Sequence, residues 1–304
     1  MNRSSKLLKF TGMLILIAMT SCQPAPAVPR AILSGSDVTS NASVFEALAR
    51  GQVDAWNVRD TQALRQFYHP DAEMYDRTFG DHGVGIDAIV GIMNGMNVAV
   101  PKWKAVSSDW YIGKDGGLSV DPLWDLSIGG HAFTQGDLLM DVDWMQTQNS
   151  LVSVWTVFYG LDAMGKMGMI SMDRMTQSKS QLAAYEAAWS GGNAKVVSSL
   201  YASEAVREDS LFGETQNGQA AISSFAKSFF AWYPSAPWRL TVAFGEGQGD
   251  AAMVGGLFDI LVKDSSGQPC AVKAGVLLQA DSGKITHETI YYQPDSLIQC
   301  GWAR

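Results

Sequence analysis

The sequence predicts an α+β fold that occurs twice, each copy a curved antiparallel sheet with three helices enclosing a cone-shaped pocket. The first observation is a repeat: aligning residues 52–89 without gaps against 185–222 gives ten identities in 38 positions. Such a match over a fixed offset of 133 residues indicates a duplicated unit. The second observation is the order of elements, in which helical segments come first and alternating strand segments follow.

The elements of one copy can be assigned in order. Residues 44–57 have helical spacing, and residues 60–68 predict a second helix with Asp60 as its N-cap. Residues 72–76 alternate as a short strand before a Phe-Gly turn, and residues 85–96 are helical again. In the second copy only strands follow the last helix, at 238–247, 251–264, 270–281 and 284–294.

The N-terminus has the features of a targeting segment. Residues 1–21 carry three basic residues, no acid and a short apolar run, which is typical of a signal peptide. The run "MTSC" ending at Cys22 resembles the lipobox of bacterial lipoproteins, which implies acylation of Cys22 and a membrane anchor. Gln23 after it implies sorting to the periplasmic side of the outer membrane. The alternative is an ordinary secretory signal. Residues 22–42 are expected to be a flexible spacer without secondary structure, before domains at 43–177 and 178–304.

Charge and composition exclude several functions. Without residues 1–21 the chain has 19 basic and 30 acidic residues, a net charge of −11, and no basic run. Such a chain repels nucleic acid, so no nucleic-acid partner is expected. The four histidines are far apart, and the sequence lacks a phosphate loop, a dinucleotide fingerprint and a serine elbow. We therefore expect neither a metal nor a cofactor.

The segments "LYASEAVREDSLFGETQNGQAAI" (200–222) and "GQPCAVKAGVLLQADSGKI" (267–285) carry a family resemblance. The repeat resembles the NTF2-like superfamily of SnoaL-like proteins and ketosteroid isomerases, over most of residues 43–297. That superfamily includes isomerases, cyclases, dehydratases, epoxide hydrolases and non-catalytic binders, so the resemblance implies a fold and a pocket more than an activity.

The isomerase resemblance places three functional groups. Its general base falls on Asp76 in the first copy and Asp209 in the second. Its oxyanion tyrosine falls on Tyr185, where the first copy has Gln52. The position of its second oxyanion donor, a protonated acid, is Val276 and, by a gapped alignment, Phe158. The missing second donor favours a binding protein, whereas Tyr185 with Asp209 favours residual chemistry.

The two aspartates differ in their expected surroundings. Strand alternation puts Met74 on the face of Asp76, so burial should raise the pKa of Asp76 toward that of a usable base. The same alternation puts Arg207 beside Asp209, which predicts a salt bridge and a fixed anion. The alternative for both aspartates is structural, because an Asp before a turn often accepts hydrogen bonds from backbone amides. The predicted ligand contacts are Trp56, Met74, Phe79, Phe158, Trp189, Arg207, Phe212 and Val276.

Two functions from different classes therefore remain. One is a binder of a small, largely apolar molecule; the other is a cofactor-free isomerase or lyase that uses Asp as a general base. In an oxidising compartment the two remaining cysteines, Cys270 and Cys300, are a candidate disulfide. The two copies are expected to pack as an internal pseudo-dimer in a monomeric chain, because the sheet faces would otherwise expose a large apolar area.

Overall fold

The protein is described by a computed structural model over residues 33–234, 236–246 and 253–303. The signal peptide and the lipidation site Cys22 lie outside the described residues. The spacer prediction for 22–42 is wrong at its end, because a helix begins at Gly35 and buries Val38 and Ala42. No helix within the described ranges is long and apolar enough to cross a membrane.

The first half of the chain, up to residue 171, contains the predicted helices and strands together with several short strands. Asp60 caps the second helix as expected, since its side chain accepts from the backbone N–H groups of Gln62 and Ala63. That helix is only one turn long. The elements are α1 (Gly35–Val58), α2 (Thr61–Leu64), β1 (Tyr68–Asp76), β2 (Asp81–Val84), α3 (Ile86–Ala99), β3 (Lys104–Ala105), β4 (Asp109–Ile112), β5 (Gly116–Val120), β6 (Leu123–Trp124), β7 (Leu126–Ile128), β8 (His131–Phe133), β9 (Asp141–Gln148), β10 (Leu151–Gly160) and α4 (Leu161–Met167).

The second half repeats the order of helices and strands with fewer insertions. Its first helix begins at Met172, after the N-cap Ser171, so the domain boundary predicted between residues 177 and 178 falls inside a helix. The elements are α5 (Met172–Ser190), α6 (Ala194–Ser199), β11 (Tyr201–Asp209), β12 (Glu214–Asn217), α7 (Gln219–Trp232), β13 (Trp238–Gly245), β14 (Met253–Lys263), β15 (Pro269–Asp281), β16 (Lys284–Tyr292) and α8 (Pro294–Gln299).

The repeated sequence corresponds to a repeated local structure. β1 and β11 have the same burial pattern, and each pairs in parallel with the last strand of its half and antiparallel with a short strand. The helix that follows starts after Gly85 or Gly218, both with φ +81°. That backbone conformation favours glycine, which explains why this glycine recurs.

The sheets of the two halves join at both edges. β10 pairs with β13, and β16 pairs with β4, so eight strands close into a ring in the order β16-β15-β14-β13-β10-β9-β5-β4. Apolar side chains from both halves fill the ring, and Trp144 Nε1 donates to Tyr291 Oη across it at 2.7 Å. This inter-half cluster consists of Tyr111, Leu118, Val120, Val142, Phe158, Phe244, Leu257, Leu277 and Tyr291.

A disulfide links the end of the second half to its sheet. It joins Cys270 on β15 to Cys300 after α8, and their Cα atoms are 5.7 Å apart. The Trp302 ring beyond it stacks on Tyr233 at 4.8 Å between centroids. The C-terminal segment is therefore held against the sheet by one covalent and several aromatic contacts.

Candidate functional site

Asp76 and Asp209 have the same structural role. Each ends its strand, and its Oδ1 accepts from the backbone N–H of the phenylalanine three residues later, Phe79 or Phe212. Each Oδ2 accepts from a tyrosine hydroxyl of the last strand, Tyr159 at 2.7 Å or Tyr292 at 2.8 Å. The turn-capping alternative drawn from the sequence therefore describes the observed contacts of both aspartates.

The first half encloses a cavity between α1 and the inner face of its sheet. Three tryptophan rings form its aromatic wall, with Trp56 at 6.0 Å from Trp103 and 5.6 Å from Trp155 between centroids, inclined by 56° and 64°. The cavity has a volume of about 40 Å³, which is room for roughly three waters. It is lined by Gln52, Val53, Trp56, Met74, Asp76, Met96, Trp103, Ala105, Asp121, Leu123, Asp141, Asp143, Trp155, Val157 and Tyr159.

Four carboxyl groups face this cavity, and we call Asp76, Asp121, Asp141 and Asp143 the acid cluster. The members are at most 9% exposed. Ser119 Oγ donates to Asp121 Oδ1 at 2.8 Å, and Gln52 Nε2 donates to Asp143 Oδ2 at 3.3 Å. The other oxygen of Asp121 and of Asp143, and Oδ1 of Asp141, are buried without a partner at normal hydrogen-bond geometry among the described residues. Asp121 and Asp143 nevertheless interact side chain to side chain, and Trp155 interacts with Asp143. The cavity wall still contains unused acceptors.

Burial makes the acid cluster hard to ionise. Burial raises the pKa of Asp76 to about 6, even though three hydrogen bonds to this carboxyl act to lower it. Burial likewise raises the pKa of Asp121 to about 7. The pKa of Asp141 is raised well above its usual value by burial and then by Asp143. The pKa of Asp143 is raised in the same way by burial and then by Asp121. No lining residue is basic, so a proton or a cationic ligand has to compensate any charge here.

In the second half, polar side chains satisfy one another where the first half has its cavity. Arg207 Nε and Glu288 Oε1 form an ion pair at 3.0 Å, with the two side chains 2% and 0% exposed. Tyr185 donates to Glu288 Oε1 at 3.0 Å, and Tyr201 donates to the other oxygen. Arg207, which was expected to pair with Asp209, forms an ion pair with Glu288. Tyr185, expected as an oxyanion donor, is buried and bonded to a carboxylate.

Much of this difference comes from one position, at which the second half has a tryptophan and the first half has an alanine. The backbone of Ala105 exchanges two hydrogen bonds with Asn57, and the backbone of Trp238 makes the matching pair with Ser190. Ala105 and Trp238 thus occupy equivalent positions. The Trp238 ring packs on Tyr185 at 5.7 Å and Trp189 at 5.3 Å between centroids, whereas alanine leaves that space open.

The sheet register corrects the position assigned to the second oxyanion donor. Val276 pairs with Ile290 in the second half, and Asp143 pairs with Val157 in the first. Both pairs differ by 133 residues, so the first-half equivalent of Val276 is Asp143. Phe158, assigned by a gapped alignment, lies on the opposite face of β10 against Phe244. The first copy therefore carries an acid at this position.

The other predicted contacts are divided between the cavity and its surroundings. Trp56 and Met74 line the cavity. Phe79 does not; it is 39% exposed and its ring meets the edge of Tyr159. In the second half Phe212 packs on Tyr292, and Trp189 packs on Phe229 with the Arg207 guanidinium above it. Val276 is fully buried.

Sequence reasoning missed Asp121, Asp141, Asp143 and two of the tryptophans. A signal was present, because Asp141 and Asp143 alternate along β9 with Val142, which belongs to the inter-half cluster. Alternation of this kind puts both acids on the inner face. Within the described ranges, no group of His, Cys, Asp and Glu has the geometry to hold a metal ion.

The fold and cavity define an α+β protein with a small internal site. No family model and no curated protein matches the chain. It is similar to a solved hypothetical protein of Catenulispora acidiphila with a ketosteroid isomerase-like fold, in complex with trimethylamine, at 23% identity over 41% of this chain and 93% of that one, TM-score 0.36.

Two further solved structures show comparable similarity. A putative ketosteroid isomerase of Kribbella flavida is 18% identical over 38% of this chain and 78% of that one, TM-score 0.31. A putative polyketide cyclase of Sinorhizobium meliloti is 16% identical over 41% and 99%, TM-score 0.30. At these identities and scores, function has to be argued from the geometry of the cavity.

Proposed function

We propose that the protein binds a small, largely apolar molecule in the first-half cavity without a cofactor. The observation that carries this proposal is the contrast between the halves. The first half keeps an open space lined by three tryptophans and carboxyl oxygens. At the matching place in the second half, Arg207, Glu288 and Tyr185 bind one another instead. Buried polar atoms without partners are costly and are rarely left so unless a ligand or water completes them.

The arrangement of the chain supports a division of roles. We propose that each half is an NTF2-like domain, that the first binds the ligand and that the second serves as its packing partner in a monomeric pseudo-dimer. The strand pairs at both edges and the inter-half cluster support this assembly. A close approach in the ring adds to it, because a Cβ at Gly275 would lie 2.5 Å from Leu118 Cδ1 of the other half.

Filling the cavity tests the binding role. Ala105→Trp copies the second half at this position, and the indole should occupy the space next to Trp56 and Trp103. Native mass spectrometry of the purified full chain should find a copurified organic molecule on the wild type. Its occupancy should fall at least tenfold in the variant, since an overfilled cavity excludes the ligand.

Val98→Trp is the matched control, because it adds the same ring at a side chain that is 84% exposed on α3. It should keep wild-type occupancy. Equal occupancy in all three proteins would place the ligand elsewhere and refute the proposal. Chemical analysis of the released molecule after incubation also separates a binder, which leaves it unchanged, from an enzyme.

A second candidate is a proton-transfer isomerase or lyase, and a specific observation favours it. Asp76 lines the cavity with a pKa of about 6, close to the operating range of a general base. Burial also raises the pKa of Asp143, which stands where the isomerase resemblance calls for a protonated acid. Asp76 could take a proton from a carbon next to a carbonyl while Asp143 donates a hydrogen bond to the carbonyl oxygen. The existing bonds of Asp76 to Tyr159 and the turn favour the binder.

We also propose that the chain is exported and anchored to the outer membrane, facing the periplasm, through Cys22. Growth with a labelled fatty acid should label the wild-type protein. Cys22→Ala should remove the label, because the acylated sulfur is absent. Label that persists in Cys22→Ala would refute the anchor and leave the cavity unaffected.

A further inference from the structure

The charge of the first-half cavity is one-sided. Its lining contains the four aspartates of the acid cluster and no Lys, Arg or His. The phenol groups nearby belong to Tyr159, which donates to Asp76, and to the buried Tyr68, and the nearby Ser119 hydroxyl donates to Asp121. Burial keeps the pKa of both tyrosines well above the usual value, so they stay neutral. The cavity therefore offers negative or neutral groups only.

The unused hydrogen-bonding atoms point to the chemistry of the ligand. Gln52 Oε1, Asp121 Oδ2, Asp141 Oδ1 and Asp143 Oδ1 are buried acceptors without partners at normal hydrogen-bond geometry among the described residues, and the indole N–H groups of the three tryptophans are buried donors in the same state. The oxygens include three of the acid cluster. They are best completed by a molecule that carries N–H or O–H donors. A cationic donor would also supply the positive charge that four clustered carboxyls lack.

The aromatic wall favours a cation as well. Trp103 and Trp155 each lie within about 6 Å of Trp56 between ring centroids, inclined by 56° and 64°, so the rings line the space at an angle instead of stacking flat. Tryptophan faces attract ammonium groups through the ring quadrupole, and most strongly where water is excluded. Alkyl groups on the nitrogen would meet Met74, Met96 and Leu123, which also line the cavity.

We propose that the ligand of this cavity is a small organic amine bound as its ammonium ion, an inference that rests on the proposed binding function. The N–H groups donate to the acid cluster, and the alkyl groups pack on the tryptophans. On binding, one carboxyl group of the acid cluster releases its proton to solvent. The ammonium ion then compensates the negative charge that the proton had neutralised. The space for roughly three waters suits an amine of a few carbons or the amine end of a larger molecule.

The test compares two nearly isosteric compounds on the full chain, tert-butylammonium chloride and tert-butanol. The ammonium ion should bind at least tenfold more tightly, as measured by tryptophan fluorescence and calorimetry. Its affinity should rise from pH 5.5 to 7.5, because burial raises the pKa of Asp76 to about 6 and that of Asp121 to about 7, and both then lose their protons. The affinity for tert-butanol should not depend on pH in this way.

Variants locate the effect. Asp121→Asn keeps the shape of the side chain and cannot ionise, so it should reduce the preference for the ammonium ion at pH 7.5 at least fivefold. Asp87→Asn makes the same change at a side chain that is 86% exposed and should have no effect. Binding of tert-butanol as tight as that of the ammonium ion would overturn the amine inference and leave the proposed binding function standing. Binding of neither compound would overturn both.

Discussion

Glu288→Ala is expected to lower the free energy of unfolding by about 3–5 kcal/mol, the usual result of removing one partner of a buried ion pair. The variant removes the carboxylate that is paired with the buried Arg207 guanidinium. It also takes the acceptor from the hydroxyl groups of Tyr185 and Tyr201. Denaturant unfolding of the full chain, followed by circular dichroism, measures the loss.

A double substitution separates the ion pair from the space it fills. Arg207→Met with Glu288→Gln removes both charges, introduces the methionine that the first half has at Met74, and keeps an acceptor for the tyrosines. It should be less destabilising than the sum of its single substitutions by 2 kcal/mol or so, because no charge is left unpaired.

A surface pair provides the control for Glu288→Ala. Glu46→Ala breaks an exposed ion pair with Arg50 on α1 and should change the unfolding free energy by less than about 1 kcal/mol. If Glu288→Ala and Glu46→Ala had similar small effects, the buried network would not have the structural role assigned to it.

Lowering the pH from 8 to 5 is expected to stabilise the protein. The acid cluster has raised pKa values in the folded chain, about 6 for Asp76 and about 7 for Asp121, against 3.8 for an ordinary aspartate. An acid whose pKa is higher in the folded than in the unfolded chain contributes its full share to the free energy of unfolding only at low pH. This contribution is lost as the pH rises toward the pKa of the folded state. The contribution changes between pH 3.8 and the folded values of about 6 and 7, so stability should rise on acidification from pH 7 to pH 5 and be nearly constant between pH 8 and 7.

The size follows from the shifts. One pKa unit corresponds to about 1.4 kcal/mol. Between pH 8 and 5, Asp76 and Asp121 together should therefore contribute on the order of 4 kcal/mol, an increase in Tm of roughly 10 °C. Asp137 and Asp264 have lowered pKa values through Lys166 and Ser266, so their opposite effect falls at lower pH, outside this window. Differential scanning calorimetry across the pH range measures the slope.

Asp121→Asn tests the origin of that slope. The amide keeps a group that can accept from Ser119 and cannot ionise, so the variant should be more stable than wild type at pH 8 by a few kcal/mol and less so at pH 5. Asp87→Asn should follow the wild-type curve. A pH dependence that is the same in Asp121→Asn and in wild type would mean that the cluster does not cause it.

Much of the local structure could be predicted from the sequence. The α+β class, the Asp60 cap and the strands of the second half follow from periodicity and capping, which depend on residues close together in the chain. The recurrence of Asp76 with Phe79 and Gly80 follows from a turn. Repetition of a local motif is visible in one sequence because it needs no knowledge of distant contacts.

The contrast between the open cavity of the first half and the paired polar groups of the second is decided by the tertiary structure. Asp121 and Asp141 belong to different segments and meet only because the chain after β5 bonds to the start of β9. Arg207 pairs with Glu288 across two strands, although Asp209 is nearer in sequence.

The sequence by itself was enough to identify the repeat, the order of helices and strands, and the two aspartates that cap equivalent turns. The sheet register decided which acids face the cavity, and the exchange of alanine for tryptophan, together with the buried network around Arg207, decided which half keeps open space. The physical reason is that burial and charge at a site depend on all the side chains around it. Those side chains come from strands far apart in the chain, and only packing brings them together.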